Sequence, residues 1–589
     1  MSAVCGIWRP GTTDGASKED SALVSSMLAR VAYRGDTSEV KQGPNVTLGI
    51  HNWASRDDGE IIADRGGVLA HAGSVISPTG NSLQGLRLAL ETATATADLD
   101  GAFAVAWVDN DGARLRLLRD PFGVRSLYYF AGKGALYFAS ELKQLLAIPD
   151  CSRQIDLSAI HKYLTFSFVP GEAVPIAGVK RVLPGHVATF EEVGAPKTQA
   201  YFVLEEKEQD AFRDRTTAVE ALREVAKAAV THRVAHGEPL ALYLSGGLDS
   251  SAMAVWLKSR GTDTTLLTLD FGVHSIEREE SELVAKTVGF KHLLVPMTGS
   301  DLATKVPELA AMHDLPFGDI VTGPQMMLGL AAKALGIKHV LNGEGGDQLF
   351  GGWTNKPMIA AEIFGGIASA SDAAESEESR EETYLRSYHR FYGAEDALYT
   401  DTFREAVGGP GQRRAHLAPY LSGERGESFL SRVRLADIAL KGSQNILPRA
   451  ERIAAGLGLT VSMPLFDRKL AELSFHLPSE MKLFGACEKF VLKIAMQGRL
   501  PEDIIWRKKS GMSVPMTDWL QGPLRDVMEE YVGDRAVAAR GWFRKEHVAK
   551  LREGNDRPGE TRRRRVGEKL WALIMLEAWV RHVVEGVAS

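Results

Sequence analysis

Residues 242–253 read Leu242-Tyr243-Leu244-Ser245-Gly246-Gly247-Leu248-Asp249-Ser250-Ser251-Ala252-Met253. The apolar run before Ser245 suits a buried parallel strand, and an apolar helical pattern resumes directly after the two serines. The glycines allow a tight turn and the close approach of a ligand, while hydroxyls and free N–H groups at the helix start converge on one point. The stretch therefore predicts an anion-binding loop, with Asp249 placed to bind Mg²⁺ beside the anion. The alternative is an ordinary strand-turn-helix connection with a serine as the helix cap.

The composition is typical of a soluble globular chain. The chain has 589 residues, of which 44% are hydrophobic and 24% charged, and this length predicts about two to four domains. The net charge of −6 predicts no general attraction to nucleic acid or to an anionic membrane. No apolar run reaches the length of a membrane span, and the first residues do not resemble a signal peptide. With three cysteines, none of them spaced as metal ligands, we expect a protein of the reducing cytoplasm.

Short alternating segments, interrupted by glycines, dominate the chain up to residue 204. Such segments are typical of the strands of a mixed α+β domain. The predicted strands are Val46–His51, Gly67–His71, Ala102–Val108, Leu115–Leu118, Leu127–Phe130 and Leu136–Ala139. The polar, charged segment Glu205–Arg215 is predicted to be a linker.

Beyond Thr216 the pattern changes to an alternation of helices and strands. This order is typical of a doubly wound parallel sheet, in which ligands bind beyond the carboxyl ends of the strands. The predicted elements are helix Val219–Arg233, strand Leu240–Leu244, helix Ser250–Ser259, strand Thr265–Asp270, helix Arg278–Val288, strand His292–Val295, helix Gln325–Leu335 and strand His339–Leu341. After Trp353 the pattern is mainly helical.

A second glycine-rich element follows the last of these strands and reads Asn342-Gly343-Glu344-Gly345-Gly346-Asp347-Gln348-Leu349-Phe350-Gly351-Gly352. It places Asp347 at the same edge of the predicted sheet as Asp249, where two carboxylates can share a Mg²⁺ ion on the phosphates of ATP. The Ser-Gly-Gly-Leu-Asp-Ser-Ser string resembles the pyrophosphate-binding loop of ATP pyrophosphatases, which split ATP into AMP and pyrophosphate. The two elements in this order resemble the synthetase domain of the asparagine synthetase family.

The resemblance covers almost the whole chain. Its further motifs are Arg119-Asp120-Pro121-Phe122-Gly123-Val124-Arg125, Phe138-Ala139-Ser140-Glu141-Leu142-Lys143, Leu183-Pro184-Gly185-His186, Pro464-Leu465-Phe466-Asp467 and Trp506-Arg507-Lys508-Lys509. It implies an α+β N-terminal sandwich of the Ntn-hydrolase, glutaminase-like type over residues 1–204. Residues 205–589 would form an α/β doubly wound parallel-sheet ATP-pyrophosphatase domain with a helical C-terminal part. The implied ligase uses ATP to activate a carboxylate as an acyl-adenylate, releasing pyrophosphate, and an amine then attacks to give an amide and AMP.

The resemblance also implies roles for individual residues. Asp249 and Asp347 would hold Mg²⁺, and Lys509 would neutralise charge at the reacting centre, where an oxyanion develops. Glu344 would accept a proton from the attacking nitrogen. The residues implied in ATP binding are Leu244, Ser245, Gly246, Gly247, Asp249, Ser250, Ser251, Leu269, Gly343 and Gly345. Two alternatives stay open: the adjacent Lys508 could take the role of Lys509, and Glu344 could simply brace its turn.

The N-terminal domain departs from the family pattern. Typical members release ammonia from glutamine with a cysteine at the mature N-terminus, whose own α-amino group is the base. Here that cysteine is Cys5, behind Ser2 and several residues inside the chain. The arginine that usually binds the glutamine carboxylate is replaced by Asn52, and the usual Asn-Gly-Glu oxyanion loop reads Ala72-Gly73-Ser74. The acidic residue that usually binds the glutamine amine falls near Asn81-Ser82. The segment Arg34-Gly35-Asp36 keeps only part of its family motif. We therefore expect an inactive domain with Cys5 as a vestigial glutaminase residue.

The predicted acceptor side departs from the family as well. The usual Glu-x-Arg-x-Pro-Phe-Leu-Asp segment is replaced by Thr460-Val461-Ser462-Met463-Pro464-Leu465-Phe466-Asp467. Because a carboxylate and a guanidinium are lost, we expect a substrate that is less charged or larger than free aspartate.

Some branches of the family have lost glutaminase activity and use an amine already on the substrate: β-lactam synthetases and the macrolactam cyclases of lasso-peptide pathways. The chain keeps Glu344, which the β-lactam branch usually replaces, so the sharpest hypothesis is a lasso-type peptide macrolactam cyclase. Its substrate would be a small molecule or peptide carrying a carboxylate, and biosynthetic partner proteins are a further expectation. The alternatives are a divergent glutamine-hydrolysing or ammonia-dependent asparagine synthetase, and a scaffold without catalysis.

Overall fold

Two antiparallel sheets packed face to face form the N-terminal part of the chain in this computed structural model. The structure describes residues 1–589 except 12–16, 57, 65, 77–85, 88–89, 91–98, 235–236, 353–383, 386–389, 409–416, 422–427, 508–513, 556–559 and 588–589. The strands are β1 (Ala3–Trp8), β2 (Thr37–Gly43), β3 (Val46–Asn52), β4 (Gly59–Asp64), β5 (Gly67–Ile76), β6 (Asp100–Val108), β7 (Leu115–Arg119), β8 (Tyr128–Gly132), β9 (Ala135–Ala139), β10 (Lys180–Arg181), β11 (His186–Phe190) and β12 (Lys197–Ala200). Their orders in the two six-stranded sheets are β10-β8-β9-β1-β3-β2 and β12-β11-β7-β6-β5-β4.

The two sheets bury an apolar layer between them, to which a strand contributes every second side chain. Val4 and Trp8 of β1 lie in this layer. Cys5 alternates with them and points to the other face of its sheet, where helix α1 (Lys18–Ala29) covers it with Val24. The helices α2 (Leu142–Leu145) and α3 (Leu157–Phe166) complete this part of the chain.

A five-stranded parallel sheet organises the second part of the chain. Its strands are β13 (Leu240–Tyr243), β14 (Thr264–Asp270), β15 (Lys291–Pro296), β16 (His339–Asn342) and β17 (Thr460–Ser462), in the order β15-β14-β13-β16-β17. The chain places β14 and β15 on one side of β13 and then returns to place β16 and β17 on the other. The loops that leave β13 and β16 therefore diverge, and a crevice opens at the carboxyl ends of these two strands.

Helices connect the parallel strands and form most of the remaining chain. They are α4 (Arg215–Arg233), α5 (Leu248–Arg260), α6 (Arg278–Val288), α7 (Gly299–Ala303), α8 (Val306–Met312), α9 (Thr322–Ala334), α10 (Gly346–Phe350), α11 (Glu395–Leu398), α12 (Asp401–Val407), α13 (Ala418–Leu421), α14 (Phe429–Ala436), α15 (Leu447–Gly456), α16 (Arg468–His476), α17 (Ser479–Lys482), α18 (Phe490–Met496), α19 (Glu502–Ile505), α20 (Met516–Gln521), α21 (Arg525–Val532), α22 (Asp534–Arg540), α23 (Lys545–Asn555) and α24 (Glu560–Trp579). Two π-helices span Asp437–Ile446 and Val580–Val584, and β18 (Leu483–Phe484) pairs with β19 (Cys487–Glu488). Within the described ranges, no helix is both long and apolar enough to cross a membrane.

A buried network of charges joins the two parts. Arg34 of the sandwich donates to Glu451 of α15 through Nη1 at 2.7 Å and Nη2 at 3.0 Å, and Arg125 donates to the same carboxylate at 2.8 Å. Arg452, the next residue of α15, lies 3.2 Å from Glu141 of the sandwich. All five side chains are buried. Because a buried charge is stable only when it is paired, these contacts fix how the two parts pack together.

The predicted fold class is confirmed, since a sandwich precedes a doubly wound parallel sheet and a helical C-terminal part. The predicted helix Arg278–Val288 agrees at both ends. Strand β17 was not predicted, because three residues are too few to show alternation and its partner β16 is far away in sequence. The boundary between residues 204 and 205 stays a prediction; β12 ends at Ala200 and α4 begins at Arg215.

Candidate active site

The loop after β13 forms one wall of the crevice. Gly246 has a φ of +65°, and a Cβ there would lie 2.7 Å from the Cβ of Glu280, so this turn requires a glycine. The hydroxyl oxygens of Ser245 and Ser250 lie 3.2 Å apart, and the Gly247 N–H donates to the Ser245 Oγ at 3.3 Å. Hydroxyls and the free N–H groups of the first turn of α5 thus converge, an arrangement that favours a bound anion.

The loop after β16 forms the facing wall. A Cβ on Gly343 would lie 2.9 Å from the Cα of Ser250, and a Cβ on Gly346 would overlap the carboxylate of Asp249. Glycines at these two positions let the loop approach α5 closely. The approach brings Asp347 beside Asp249, as the sequence predicts for two elements at one edge of the sheet.

Lys489 bridges the two aspartates. Its Nζ lies 2.6 Å from a carboxylate oxygen of Asp249 and 2.6 Å from one of Asp347. Burial disfavours the charge of this lysine, but the two carboxylates outweigh burial and raise its pKa. Lys489 is therefore an ammonium. Lys489 has a φ of +53°, which is uncommon for residues other than glycine. The backbone before α18 is therefore held in a strained conformation at this residue.

Asp249 and Asp347 suit a magnesium ion. Mg²⁺ binds one or two carboxylates and completes its coordination with phosphate oxygens and water. An ammonium lies between the two carboxylates, so this position accommodates a positive charge. Among the described residues, no cluster of three or more His, Cys, Asp or Glu side chains could hold a metal by itself. The donor set therefore fits a Mg²⁺ ion that arrives with a nucleotide.

The walls enclose a cavity of about 380 Å³, a volume within the range of small-molecule sites. Most of the residues predicted for ATP, metal and catalysis line it: Leu244, Ser245, Gly247, Asp249, Ser250, Leu269, Gly343, Glu344, Gly345 and Asp347. Residues distant in sequence meet here because β13 and β16 are adjacent strands.

Glu344 is held in place by three donors. Its carboxylate accepts hydrogen bonds from Asn342 at 2.7 Å, Gln325 at 2.8 Å and Arg449 at 2.7 Å. Arg449 is in turn fixed by Asp319 at 2.8 Å and by the Gln325 side-chain oxygen at 3.0 Å. The Glu344 side chain is 33% exposed and lines the cavity. It therefore braces its turn and also presents a carboxylate to a bound molecule.

Some predicted residues do not line the cavity. Gly246 forms the turn, and Ser251 is fully buried, so a contact between Ser251 and a phosphate stays a prediction. Lys508 and Lys509 lie outside the described residues. Their neighbour Arg507 does line the cavity, 3.4 Å from Glu280.

The expectation that Thr460 and Ser462 shape the substrate pocket is wrong. Both lie on β17 at the edge of the parallel sheet, and neither lines the cavity. Arg56 of the sandwich donates to the Thr460 hydroxyl at 3.1 Å, and the Ser462 hydroxyl lies 2.9 Å from His339 Nε2. These side chains therefore tie the sheet edge to its neighbours.

Cys5 is enclosed in the core of the N-terminal part. Its side chain is fully buried, with Sγ 3.9 Å from the Val24 carbonyl oxygen, and burial raises the pKa of the thiol. A neutral, inaccessible thiol is a poor nucleophile, and the role of Cys5 as a vestigial glutaminase residue stays a prediction.

Ser2 rather than Cys5 adjoins the loop that was matched to the oxyanion loop. The Gly73 N–H donates to the Ser2 Oγ at 3.1 Å, and the Ser2 N–H donates to Asp58 at 3.1 Å. Ser2 is itself fully buried. Asn52 donates its side-chain amide to the Gly59 carbonyl at 2.8 Å, a contact within the sandwich. The predicted positions 81 and 82 lie outside the described residues.

Lys489, Arg449 and Gln325 belong to the site but were not predicted from the sequence. Lys489 follows Asp249 by 240 residues, and no fixed spacing relates them. A lysine or arginine at the end of an amphipathic segment is more often a surface residue, so its type alone gives no signal.

Comparison with known proteins gives two family matches. The asparagine synthase family model matches residues 221–581, and the glutamine amidotransferase domain model matches residues 88–202. The glutamine-hydrolyzing asparagine synthetase 1 of Bacillus subtilis is 25% identical over 82% of this chain and 78% of that protein. Asparagine synthetase 3 of the same organism is 28% identical over 70% of this chain and 67% of that protein. A solved glutamine phosphoribosylpyrophosphate amidotransferase from B. subtilis, complexed with ADP and GMP, has 12% identity and a TM-score of 0.22 over 50% of this chain and 65% of that one.

Proposed function

The chain belongs to the asparagine synthase family, and from that premise we propose that it joins an activated carboxylate to an amine that its own N-terminal domain does not supply. Membership makes it an ATP-dependent ligase that forms a carbon–nitrogen bond. One contrast carries the finer proposal. Charged side chains line an open cavity in the second part of the chain, whereas Cys5 is fully buried in the first.

Nucleotide binding accounts for the loop after β13. Its hydroxyls and the N–H groups at the start of α5 suit phosphate oxygens, and Leu244 and Leu269 offer apolar surface in the same cavity. Asp249 and Asp347 would hold Mg²⁺, which neutralises phosphate charge when it is bound. In the reaction, a substrate carboxylate attacks the α-phosphorus of ATP, so that pyrophosphate leaves and an acyl-adenylate forms.

Lys489 stabilises this arrangement before the nucleotide binds. Its ammonium lies within hydrogen-bond distance of both aspartates, which would otherwise repel each other at close range. An ammonium so placed can exchange a carboxylate oxygen for a phosphate oxygen of the bound nucleotide. Lys489 would then neutralise charge at the phosphates during the first step.

Glu344 would serve the second step. An amine that attacks the acyl-adenylate carbonyl must lose a proton, and a carboxylate fixed in the cavity can accept it. Arg449, Gln325 and Asn342 hold Glu344 in one orientation, so the proton acceptor does not need to reorganise during the reaction. AMP then leaves, and the amide remains.

The source of the nitrogen decides between two forms of this ligase. An amine on the substrate itself gives a lactam or, in a peptide, a macrolactam, and we favour this form. Its support is the burial of Cys5 together with the use of Asn52 in a contact within the sandwich. The segment at Thr460 lends no further support, since it lies outside the cavity.

The second candidate is a glutamine-dependent asparagine synthetase, the activity for which the Bacillus subtilis relatives are named. One contact favours it: the Gly73 N–H donates to Ser2 Oγ, and a hydroxyl beside a backbone N–H is one element of a nucleophile site. A glutaminase in this chain would therefore act through Ser2 or Cys5.

Two assays on the purified full chain with ATP and Mg²⁺ separate the candidates. Pyrophosphate release is measured with aspartate plus ammonium chloride, with aspartate plus glutamine, and with amino acids and peptides that carry both an amine and a carboxylate. Glutamate release from glutamine is measured for the wild type, Ser2→Ala and Cys5→Ala, with Asp249→Asn as the blank for adenylation. We expect pyrophosphate without glutamate. Glutamate release that either substitution abolishes would overturn the proposal in favour of the second candidate.

A further inference from the structure

A second cavity opens where the N-terminal part of the chain meets the C-terminal helices. Its volume is about 790 Å³, within the range of small-molecule sites. The sandwich part contributes residues at and after the ends of α1 and α2, and the second part contributes α8, Arg540 of α22 and the π-helix Val580–Val584. None of its described lining residues lines the cavity at the ends of β13 and β16, here called the ligase cavity. The second cavity is therefore a separate place on the molecule.

Hydrogen bonds between the two parts of the chain hold the walls of the second cavity. Arg153, which follows α2, donates to the Leu146 carbonyl at 3.1 Å and to the Val584 carbonyl at the end of the π-helix. Lys143 of α2 donates to the Ala311 carbonyl of α8 at 2.7 Å. The shape of the second cavity is therefore set by the packing of helices from both parts, not by a single surface loop.

The lining of the second cavity carries an excess of positive charge. Among its described residues, four are arginine or lysine and two are glutamate. Both glutamates already have a cationic partner, since Glu308 pairs with Lys305 at 2.8 Å and Glu585 pairs with Arg540 at 2.7 Å. An anion that enters the second cavity therefore meets about two positive charges that no lining carboxylate balances.

Arg30 and Arg153 carry this excess. Within the described part of the chain, the Arg30 side chain makes no hydrogen bond or ion pair, and the Arg153 guanidinium bonds only to carbonyl oxygens. Lys143 is a third cation of the lining: burial acts to lower its pKa, but Glu141, 3.1 Å away, outweighs burial and raises it. Because carbonyl oxygens are neutral, the two guanidiniums keep their charge for a bound anion, and guanidiniums match the geometry of phosphate oxygens.

The remaining lining of the second cavity offers apolar surface. Leu146 and Ile155 come from the sandwich part, Met312 comes from α8, and Val580 and Val583 come from the π-helix. Apolar side chains beside a few charged groups are typical of sites for organic molecules, and short π segments are frequent at functional sites. The lining therefore suits an anion that also has an apolar portion better than it suits a bare inorganic ion.

We propose that the second cavity binds an organic phosphate, namely a phosphate monoester with an apolar portion. A phosphate monoester carries a charge of about −1.5 to −2 at pH 7, which matches the excess of positive charge in the lining. Arg30 and Arg153 bind the phosphate group, and the aliphatic side chains of α8 and the π-helix contact the apolar portion. The inference goes beyond the proposed function, because no step of the ligase reaction takes place in this cavity.

Binding is tested by titration calorimetry on the full chain with 1-naphthyl phosphate as the probe. The two reference compounds are 1-naphthol, which lacks the charge, and inorganic phosphate, which lacks the apolar portion. We expect the probe to bind about tenfold or more tightly than either reference. Arg30→Gln and Arg153→Gln should each weaken binding of the probe about tenfold, because each removes a charged donor, and Arg30→Lys should retain much of the affinity. The thermal midpoint of Arg30→Gln should match the wild type, because no described partner of Arg30 is lost.

Two control variants separate the second cavity from other places where a phosphate could bind. Lys489→Met leaves Asp249 and Asp347 without their ammonium, so it should weaken phosphate binding in the ligase cavity and leave the second cavity unchanged. Arg525→Gln removes an exposed arginine of α21 that lines neither cavity, and it should have no effect. The inference is overturned if the probe binds no more tightly than its references or if neither Arg30→Gln nor Arg153→Gln weakens binding. It is also overturned if either control variant weakens binding as much as these two substitutions do.

Discussion

The loop after β13 and the segment just before β1 each contain a serine that is bonded to a backbone N–H, but only the first of these serines can be reached by a ligand. In each, a serine hydroxyl accepts from a backbone N–H: Ser245 from Gly247 at 3.3 Å, and Ser2 from Gly73 at 3.1 Å. Ser245 lines a cavity of about 380 Å³, whereas Ser2 is fully buried. Because a polar group acts only on a molecule that can reach it, the similar hydrogen bonds of Ser245 and Ser2 do not give the two serines the same function.

The difference follows from the side chains that surround each serine. Asp249 and Asp347, whose side chains are 20% and 28% exposed, line a cavity that a ligand can enter. Around Ser2 the partners are the Gly73 N–H, Asp58 and the Arg125 guanidinium, which satisfy its polar atoms internally. Where the family has charged glutamine-binding residues, this chain has uncharged ones such as Asn52 and Ser74. The region around Ser2 can therefore be buried without leaving an unpaired charge.

The largest effect is expected from the aspartates of the cavity. Asp249→Asn and Asp347→Asn should each lower the rate of pyrophosphate release about 10²–10³-fold, because each removes a charge that Mg²⁺ on the nucleotide needs. The measurement is steady-state pyrophosphate release at saturating ATP. Asp210→Asn, at a side chain that is 99% exposed, is the control and should be silent. An Asp347→Asn enzyme with more than a tenth of the wild-type rate would remove Asp347 from the site.

A smaller effect is expected from Glu451, which joins the two regions under comparison. Burial acts to raise the pKa of Glu451, but Arg34, Arg452 and Arg125 outweigh it and lower the pKa from 4.5 to about 2. A carboxyl whose pKa is lower in the folded than in the unfolded chain stabilises the fold at a pH above its unfolded pKa. This stabilisation is lost as the pH falls through the folded pKa. We therefore expect a loss of about 3 kcal/mol in the free energy of unfolding between about pH 4.5 and pH 2.

Urea unfolding followed by tryptophan fluorescence across this pH range measures the loss. Glu451→Gln should lower the free energy of unfolding by about 3 kcal/mol at pH 7, because three buried guanidiniums lose a charged partner. It should also remove most of the decrease in stability between about pH 4.5 and pH 2. Glu480→Gln is the control, because Glu480 forms an exposed pair with Arg213 and such pairs contribute about 0–1 kcal/mol. Equal pH profiles for the wild type and Glu451→Gln would show that another group links the two parts.

The smallest effect is expected from Cys5. Cys5→Ala should leave the rate of pyrophosphate release within about twofold of the wild type and weaken the fold by about 1 kcal/mol, as for a small cavity in a core. In the folded protein a thiol reagent should label Cys487, which is partly exposed, before Cys5. A Cys5→Ala enzyme that lost its product would instead mean that the first region takes part in the chemistry.

The sequence was sufficient for the features that depend on neighbouring residues. The turn at Gly246 and the helix start after it require particular backbone angles, which residue type reveals directly. Asp249 and Asp347 could be placed at one sheet edge because each follows a predicted strand of a parallel sheet. The segment at Thr460 and Ser462 was misread because its role depends on which strand it pairs with, and that partner is β16.

By itself, then, the sequence determined a strand-rich N-terminal part, the parallel sheet with its crevice, and the two glycine-rich loops that line it, while the sandwich was implied by the family resemblance. Periodicity and glycine positions are local properties, and they carry this information along the chain. Only the tertiary structure decided that Lys489 joins the two aspartates and that Cys5 is sealed in the core. These facts depend on distances and burial between segments remote in sequence, which only the packing of the whole chain fixes.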